Sequence, residues 1–132
     1  MTDQRLTVDD TLIFPANYTR QGGYEATKQM IASQRLPRAL FASNEGQAIG
    51  SLRALAEHGL RVPQDVALVC FNGTDQAAFH VPRLTTVRQP LRDMARSAIA
   101  MLKSWDGEAK LAEFPHYLEI GESCGCQPHQ QK

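Results

Sequence analysis

DVALVCFNGTDQAAFHVPRLTTVRQP, residues 65–90, carries the two features that decide the fold. Its opening run, Val66 to Phe71, is apolar without alternation. Such a run suits a strand covered on both faces, as in parallel α/β sheets, better than a half-wet antiparallel strand. It then empties into Asn72-Gly73-Thr74-Asp75-Gln76, a loop dense in hydrogen-bonding groups. LTTV (84–87) reads as the next short strand, stopped by Gln89-Pro90.

Upstream, the hydrophobic period alternates between strand and helix. RALFAS (38–43), announced by Pro37, feeds directly into NEGQAIGSLRALAEHG (44–59). There Ile49, Leu52, Leu55 and Ala56 share one helical face, and Gly59 supplies the C-cap. Before it, YTRQGGYEATKQMIASQ (18–34) places Tyr24, Thr27, Met30 and Ile31 on one face, with Thr19 as N-cap. Gly22-Gly23 costs about 1 kcal/mol per residue in a helix interior. The pair therefore marks a close backbone approach or a later helix start. TLIFPA (11–16) is expected as the first strand.

Downstream, LRDMARSAIAMLKSWDG (91–107) is the cleanest helix. Leu91, Met94, Ala95, Ala98, Met101, Leu102 and Trp105 form one apolar stripe. EFPHYLEIGES (113–123) alternates well enough for a final strand. The order of elements, with repeated crossovers, predicts an α/β fold: a three-layer, doubly wound, mostly parallel sheet.

The 132 residues suffice for one domain with its own core. The 14 basic and 14 acidic side chains cancel, and no basic stripe is present. That speaks against this segment gripping a phosphate backbone, which needs clustered Lys and Arg. No apolar stretch approaches the roughly 18 residues of a membrane span, and MTDQRLTVDD has no apolar core of a signal peptide. Cys70, Cys124 and Cys126 form no obvious disulfide framework, so a reducing, cytoplasmic setting is expected. CGC (124–126) resembles half a metal site, but His129 is its only sequence neighbour of the right chemistry, and free thiols are the plainer reading.

In an open parallel sheet, ligands bind beyond the carboxyl ends of the strands. Three loops are expected there: Asn17-Tyr18-Thr19, Ser43-Asn44-Glu45 and Asn72-Gly73-Thr74-Asp75. Amides and carboxylates hydrogen-bond sugar hydroxyls or a purine edge, while an aromatic face covers the apolar side. Each loop alone is equally a set of N-caps and turn formers that needs no ligand. Together they point to a polar small-molecule pocket. Catalysis has less support. No Gly-x-Ser-x-Gly elbow or phosphate loop is present, and His58, His80 and His116 have no evident nucleophile beside them. No catalytic residue, metal or cofactor is assigned.

The stretch from PRALFASNEGQAIG through GLRVPQDVALVCFNG to PRLTTVRQP resembles the C-terminal part of LacI/GalR-family transcription regulators. The likeness runs from about Thr11 to Cys126, nearly the whole chain. It implies one lobe of a periplasmic-binding-protein-like type I fold. In that family two lobes close on a small effector, commonly a sugar or nucleobase, and a separate headpiece binds operator DNA. The resemblance implies ligand contacts from Asn17, Tyr18, Asn44, Asn72 and Gln89. At Asn72 the family usually has Asp, so an amide that donates and accepts replaces a carboxylate that only accepts.

The expected organisation is an N-terminal tail (1–10), the C-terminal subdomain (11–89), a crossover helix (90–107) and a return strand with polar tail (108–132). The crossover helix would pack on a first lobe that this chain does not carry, so the chain is expected to self-associate through it or swap it. A homodimer sensing a sugar- or nucleoside-like effector, with no membrane contact and DNA reached only through a headpiece, is the function implied. A periplasmic sugar receptor of a transport system, or a sensor fused to a signalling enzyme, are the alternatives.

Overall fold

A computed structural model describes residues 9–126. Most of the expected N-terminal tail and the end of the polar tail, with His129, lie outside them. The described elements are α1 (Arg20–Ala32), β1 (Ala39–Ala42), α2 (Glu45–Glu57), β2 (Ala67–Phe71), β3 (Thr85–Arg88), α3 (Leu91–Lys103) and β4 (Tyr117–Glu119). The strands make one open sheet in the order β1-β2-β3-β4. β1 and β2 pair in parallel, Leu40 opposite Leu68, and β2 and β3 likewise, Cys70 opposite Thr86. β4 returns antiparallel, Leu118 opposite Val87.

Side-chain caps start the two helices that build the core. Thr19 Oγ1 accepts from Gly22 N at 2.9 Å, and Asn44 Oδ1 accepts from Gln47 N at 2.8 Å. Each satisfies one of the amides that a helix start leaves unpaired. The Gly22-Gly23 question resolves as a close approach, since α1 begins at Arg20 and runs through both. A Cβ on Gly23 would lie 2.2 Å from Gln47 O, and one on Gly50 would lie 2.0 Å from Arg20 O. The helices cross where neither can carry a side chain. Their seam is sealed by a buried bond from Thr27 Oγ1 to Ser51 Oγ at 2.8 Å.

Leu68 and Cys70 of β2 pack with Ala42, Ala48, Ala77 and Leu84, all buried. Met30, Leu55 and Val66 form a second cluster beneath α1 and α2. On the other face of β2, Ala67, Val69 and Phe71 are only half-buried. The unbroken apolar run thus serves two faces that are covered unequally.

Three expectations change. Residues 11–16 are not a strand: Asp10–Leu12 forms a 3-10 turn, followed by unpaired chain to Asn17. Asp9 caps that turn, accepting from Thr11 N at 3.0 Å, and Pro15 has no N–H to give a ladder. The final strand shrinks from 113–123 to Tyr117–Glu119, again behind a proline, Pro115. The helix expected over 91–107 ends at Lys103, and no residue of it is buried.

The closing segment is fastened by one side chain. Ser123 Oγ donates to Leu68 O at 2.6 Å and accepts from Thr85 N at 2.9 Å, while Leu68 N donates to Ser123 O at 2.7 Å. One serine thereby ties the returning chain to β2 and β3 at their amino-terminal ends.

Candidate functional site

The first turn of α2 is where the polar loops meet. Asn44, the N-cap, is half-buried because its side chain is committed to Gln47 N. Gln47, 7% exposed, sends Nε2 to Asn17 O at 3.0 Å and so fixes the Asn17-Tyr18-Thr19 loop. Glu45, 8% exposed, accepts from Thr74 N through Oε2 at 2.9 Å and so fixes the loop after β2. Its Oε1 is buried with no hydrogen-bond partner among the described residues. An acidic side chain in a helix's first turn is favoured by the helix dipole, which offsets part of its burial cost.

The loop after β2 is tightly specified. Asn72 takes φ +57°, a left-handed conformation that Asn tolerates better than most residues. Gly73 lies against Thr86, whose Cγ2 would be 2.1 Å from an added Cβ. Thr74 caps a 3-10 helix, Asp75–Phe79, by accepting from Gln76 N. Arg88 holds this helix to the last strand, pairing with Asp75 and, at 2.9 Å, with Glu119.

Of the five residues singled out in the sequence, Asn17, Tyr18 and Asn44 are gathered around α2's first turn. Asn72 joins them through the Thr74–Glu45 bond. Tyr18 stands 75% exposed and Asn72 is exposed, whereas Gln89, just past β3, is half-buried. Gln89 makes no hydrogen bond to that group among the described residues, and the five do not share one enclosed cavity. A cavity of about 480 Å³ between Leu12–Ala16, α1 and β1 takes in Tyr18 alone of the five. A second, of about 580 Å³, lies against α1 and takes in only Asn17.

Sequence reading put Glu45 in a loop facing the ligand and passed over Gln47, yet these two residues hold the loops together. Their only signal was a polar pair in the first turn of a helix that starts directly after a strand. Of the histidines, His58 Nδ1 lies 2.8 Å from Ala54 O, a helix-end contact. Burial pushes the Cys70 thiol up, which keeps it protonated and inert. Among the described residues no group of three or more His, Cys, Asp or Glu side chains is placed to share a cation. No helix there is long and apolar enough to cross a membrane.

Residues 1–121 match the family model for a periplasmic binding protein-like domain. The chain belongs to that family. Within it, the chain is a C-terminal portion of a LacI/GalR-type effector-binding domain. It is 38% identical over 112 residues to the HTH-type transcriptional repressor MelR of Bacillus subtilis, covering 83% of this chain and 33% of MelR. The structure of a LacI-type transcription regulator from Bifidobacterium animalis superposes with a TM-score of 0.86 at 28% identity, over 92% of this chain and 45% of that one. The transcriptional regulator CelR, solved as a cellobiose complex, gives 0.80 at 27% identity, over 92% of this chain and 38% of CelR. This chain therefore spans about a third of the length of the curated repressor. These relatives are transcription regulators.

Proposed function

We propose that the face formed by Asn17, Tyr18, Asn44, Asn72 and Gln89 receives a small polyhydroxylated effector, and that the chain serves as the sensing portion of a cytoplasmic, dimeric repressor. The observation that carries this reading is the meeting of the polar loops at α2's first turn. Glu45 and Gln47 hold those loops from behind, so the exposed side chains of Asn17, Tyr18 and Asn72 stay free for a ligand. CelR, similar over nearly this whole chain, holds a disaccharide. The free amide of Asn72 supplies one donor and one acceptor, a match for adjacent hydroxyls. Tyr18 offers the apolar face of a sugar ring a flat partner.

Residues 11–89 act as the lobe that carries this face, and the segment 90–107 leaves it to meet a second lobe. Effector bridging the two lobes binds the closed arrangement better than the open one. That differential affinity shifts the population and, through it, the orientation of DNA-binding headpieces carried elsewhere in the regulator.

The test is calorimetric titration of the complete regulator with cellobiose, a panel of mono- and disaccharides, and nucleosides. Tyr18→Ala and Asn72→Gly should each weaken binding at least about tenfold, about 1.4 kcal/mol, without lowering the melting temperature. Glycine removes the Asn72 amide while tolerating its left-handed backbone. Unchanged affinity in both variants refutes the assignment of this face.

A further inference from the structure

Among the described residues, the CGC turn is a cluster of nucleophilic side chains that the effector reading leaves unused. It follows Ser123, whose bonds to Leu68 and Thr85 place it at the opposite end of the sheet from the loops of the proposed effector face. Gly125 takes φ +70° and donates from its N to Glu122 O at 3.1 Å, folding the chain back on itself. The turn brings Cys126 N to 3.1 Å from Cys124 Sγ and Cys126 Sγ to 3.9 Å from Cys124 O. Both sulfurs thus belong to one tight turn, with Cys124 half-buried against the sheet and Cys126 exposed. An amide proton aimed at a sulfur interacts more favourably with a thiolate than with a thiol, and thiolate is the metal-binding form.

We infer that Cys124 and Cys126 form a two-sulfur site for a soft, thiophilic monovalent cation of the Cu(I) type. The donor set decides the class of cation. Structural zinc takes four ligands, and no third His, Cys, Asp or Glu among the described residues is placed to join these two. Two thiolates alone suit a soft cation that accepts a two-coordinate sulfur environment, and thiolates select Cu(I) over hard cations. Binding displaces both thiol protons: Cu⁺ plus two Cys–SH gives a bis-thiolate copper centre and two H⁺, with no change of oxidation state. The turn is preorganised, because the Ser123 bonds hold its first sulfur at the sheet edge before any cation arrives.

The experiment titrates the reduced whole chain with Cu(I), kept reduced by ascorbate, against a chromophoric Cu(I) chelator. Wild type should take one equivalent. Cys124→Ser and Cys126→Ser should each lose more than about 100-fold in affinity, since even an outer-shell partner costs 10–100-fold. Cys70→Ala should keep the site, and circular dichroism checks that each variant is folded. Exposed Cys126 gives a variant that does not disturb packing. No competition by wild type, or one equivalent retained in the Cys126 variant, overturns the proposal. So does Zn(II) binding as tightly as Cu(I), because that requires donors beyond these two. All three results are independent of effector binding at the other end of the sheet.

Discussion

Gly50→Ala tests whether the α1–α2 crossing is as close as the geometry requires. Taken as a helix residue alone, the change should stabilise by about 1 kcal/mol, the propensity gap between glycine and alanine. The crossing reverses the sign. The new methyl would stand 2.0 Å from Arg20 O and 2.6 Å from Tyr24 N, both backbone atoms that no rotamer change can move. Ordinary contact begins near 3.4 Å, so α1 must withdraw by roughly 1.4 Å. Overpacking of this kind costs about 1–3 kcal/mol. The withdrawal also stretches the Thr27–Ser51 bond, now 2.8 Å, and the Gln47–Asn17 bond, now 3.0 Å. Each is worth about 1 kcal/mol, so the net loss should be about 2–4 kcal/mol. That is a large part of the 5–15 kcal/mol typical of a domain.

Gly46→Ala, in the same helix, is the control. Its methyl would meet the Asn44 side chain at 3.1 Å and the Arg20 and Thr19 backbone only at ordinary contact, 3.8 and 3.9 Å, so the change should be near neutral. Urea unfolding followed by far-ultraviolet circular dichroism reads both variants, with unchanged slopes marking a true stability change. A neutral or stabilised Gly50→Ala refutes the close crossing and, with it, the placement of Asn17 against α2.

Three further outcomes follow from single contacts. Ser123→Ala leaves Thr85 N–H and Leu68 C=O unpaired inside the sheet, and should cost about 2–4 kcal/mol in urea unfolding; a loss below 1 kcal/mol would show that the return segment is held by other means. Asp65 accepts three bonds from Arg61, which hold its carboxyl at about 2, below the usual carboxylate range. Because its folded value is depressed, the contribution is present above the ordinary carboxylate value near 3.8 and lost as pH falls towards about 2. Carbon-detected titration should place its midpoint there, and Arg61→Ala should return it upward; an unmoved midpoint contradicts the pairing. Finally, α3 exposes Leu91, Ile99 and Leu102, and Trp105 just past its end is exposed too, each more than half accessible. Such a stripe is expected to be covered by self-association, so light scattering should find the chain larger than a monomer and Leu102→Lys should reduce its size. A clean wild-type monomer ends that expectation.

Local elements were readable because their causes are local. Thr19 and Asn44 cap helices at the positions expected of them, and the runs at 39–42, 67–71 and 85–88 became the parallel strands. The failures share a cause as well. TLIFPA has the composition of a strand, but strand pairing needs a neighbour with a free edge and an unbroken row of donors. Pro15 interrupts that row, and Asp9 offers a competing turn. Gln89, chosen with the site, makes no hydrogen bond to α2's first turn among the described residues; nothing in its immediate sequence states how far the chain travels after β3.

The site divides along the same line. The amino-acid sequence by itself determined which loops carry hydrogen-bonding groups, that Asn72 stands where the resemblance implies a carboxylate, and that the 14 basic and 14 acidic side chains cancel. Only the tertiary structure decided that Glu45 and Gln47 turn away from solvent to hold the loops at Thr74 and Asn17. These contacts span 29 and 30 residues of chain. Side-chain chemistry is written in sequence, but the partner a buried polar group finds is set by how two helices cross. Here that crossing rests on Gly23 and Gly50, where the absence of a side chain lets the backbones meet.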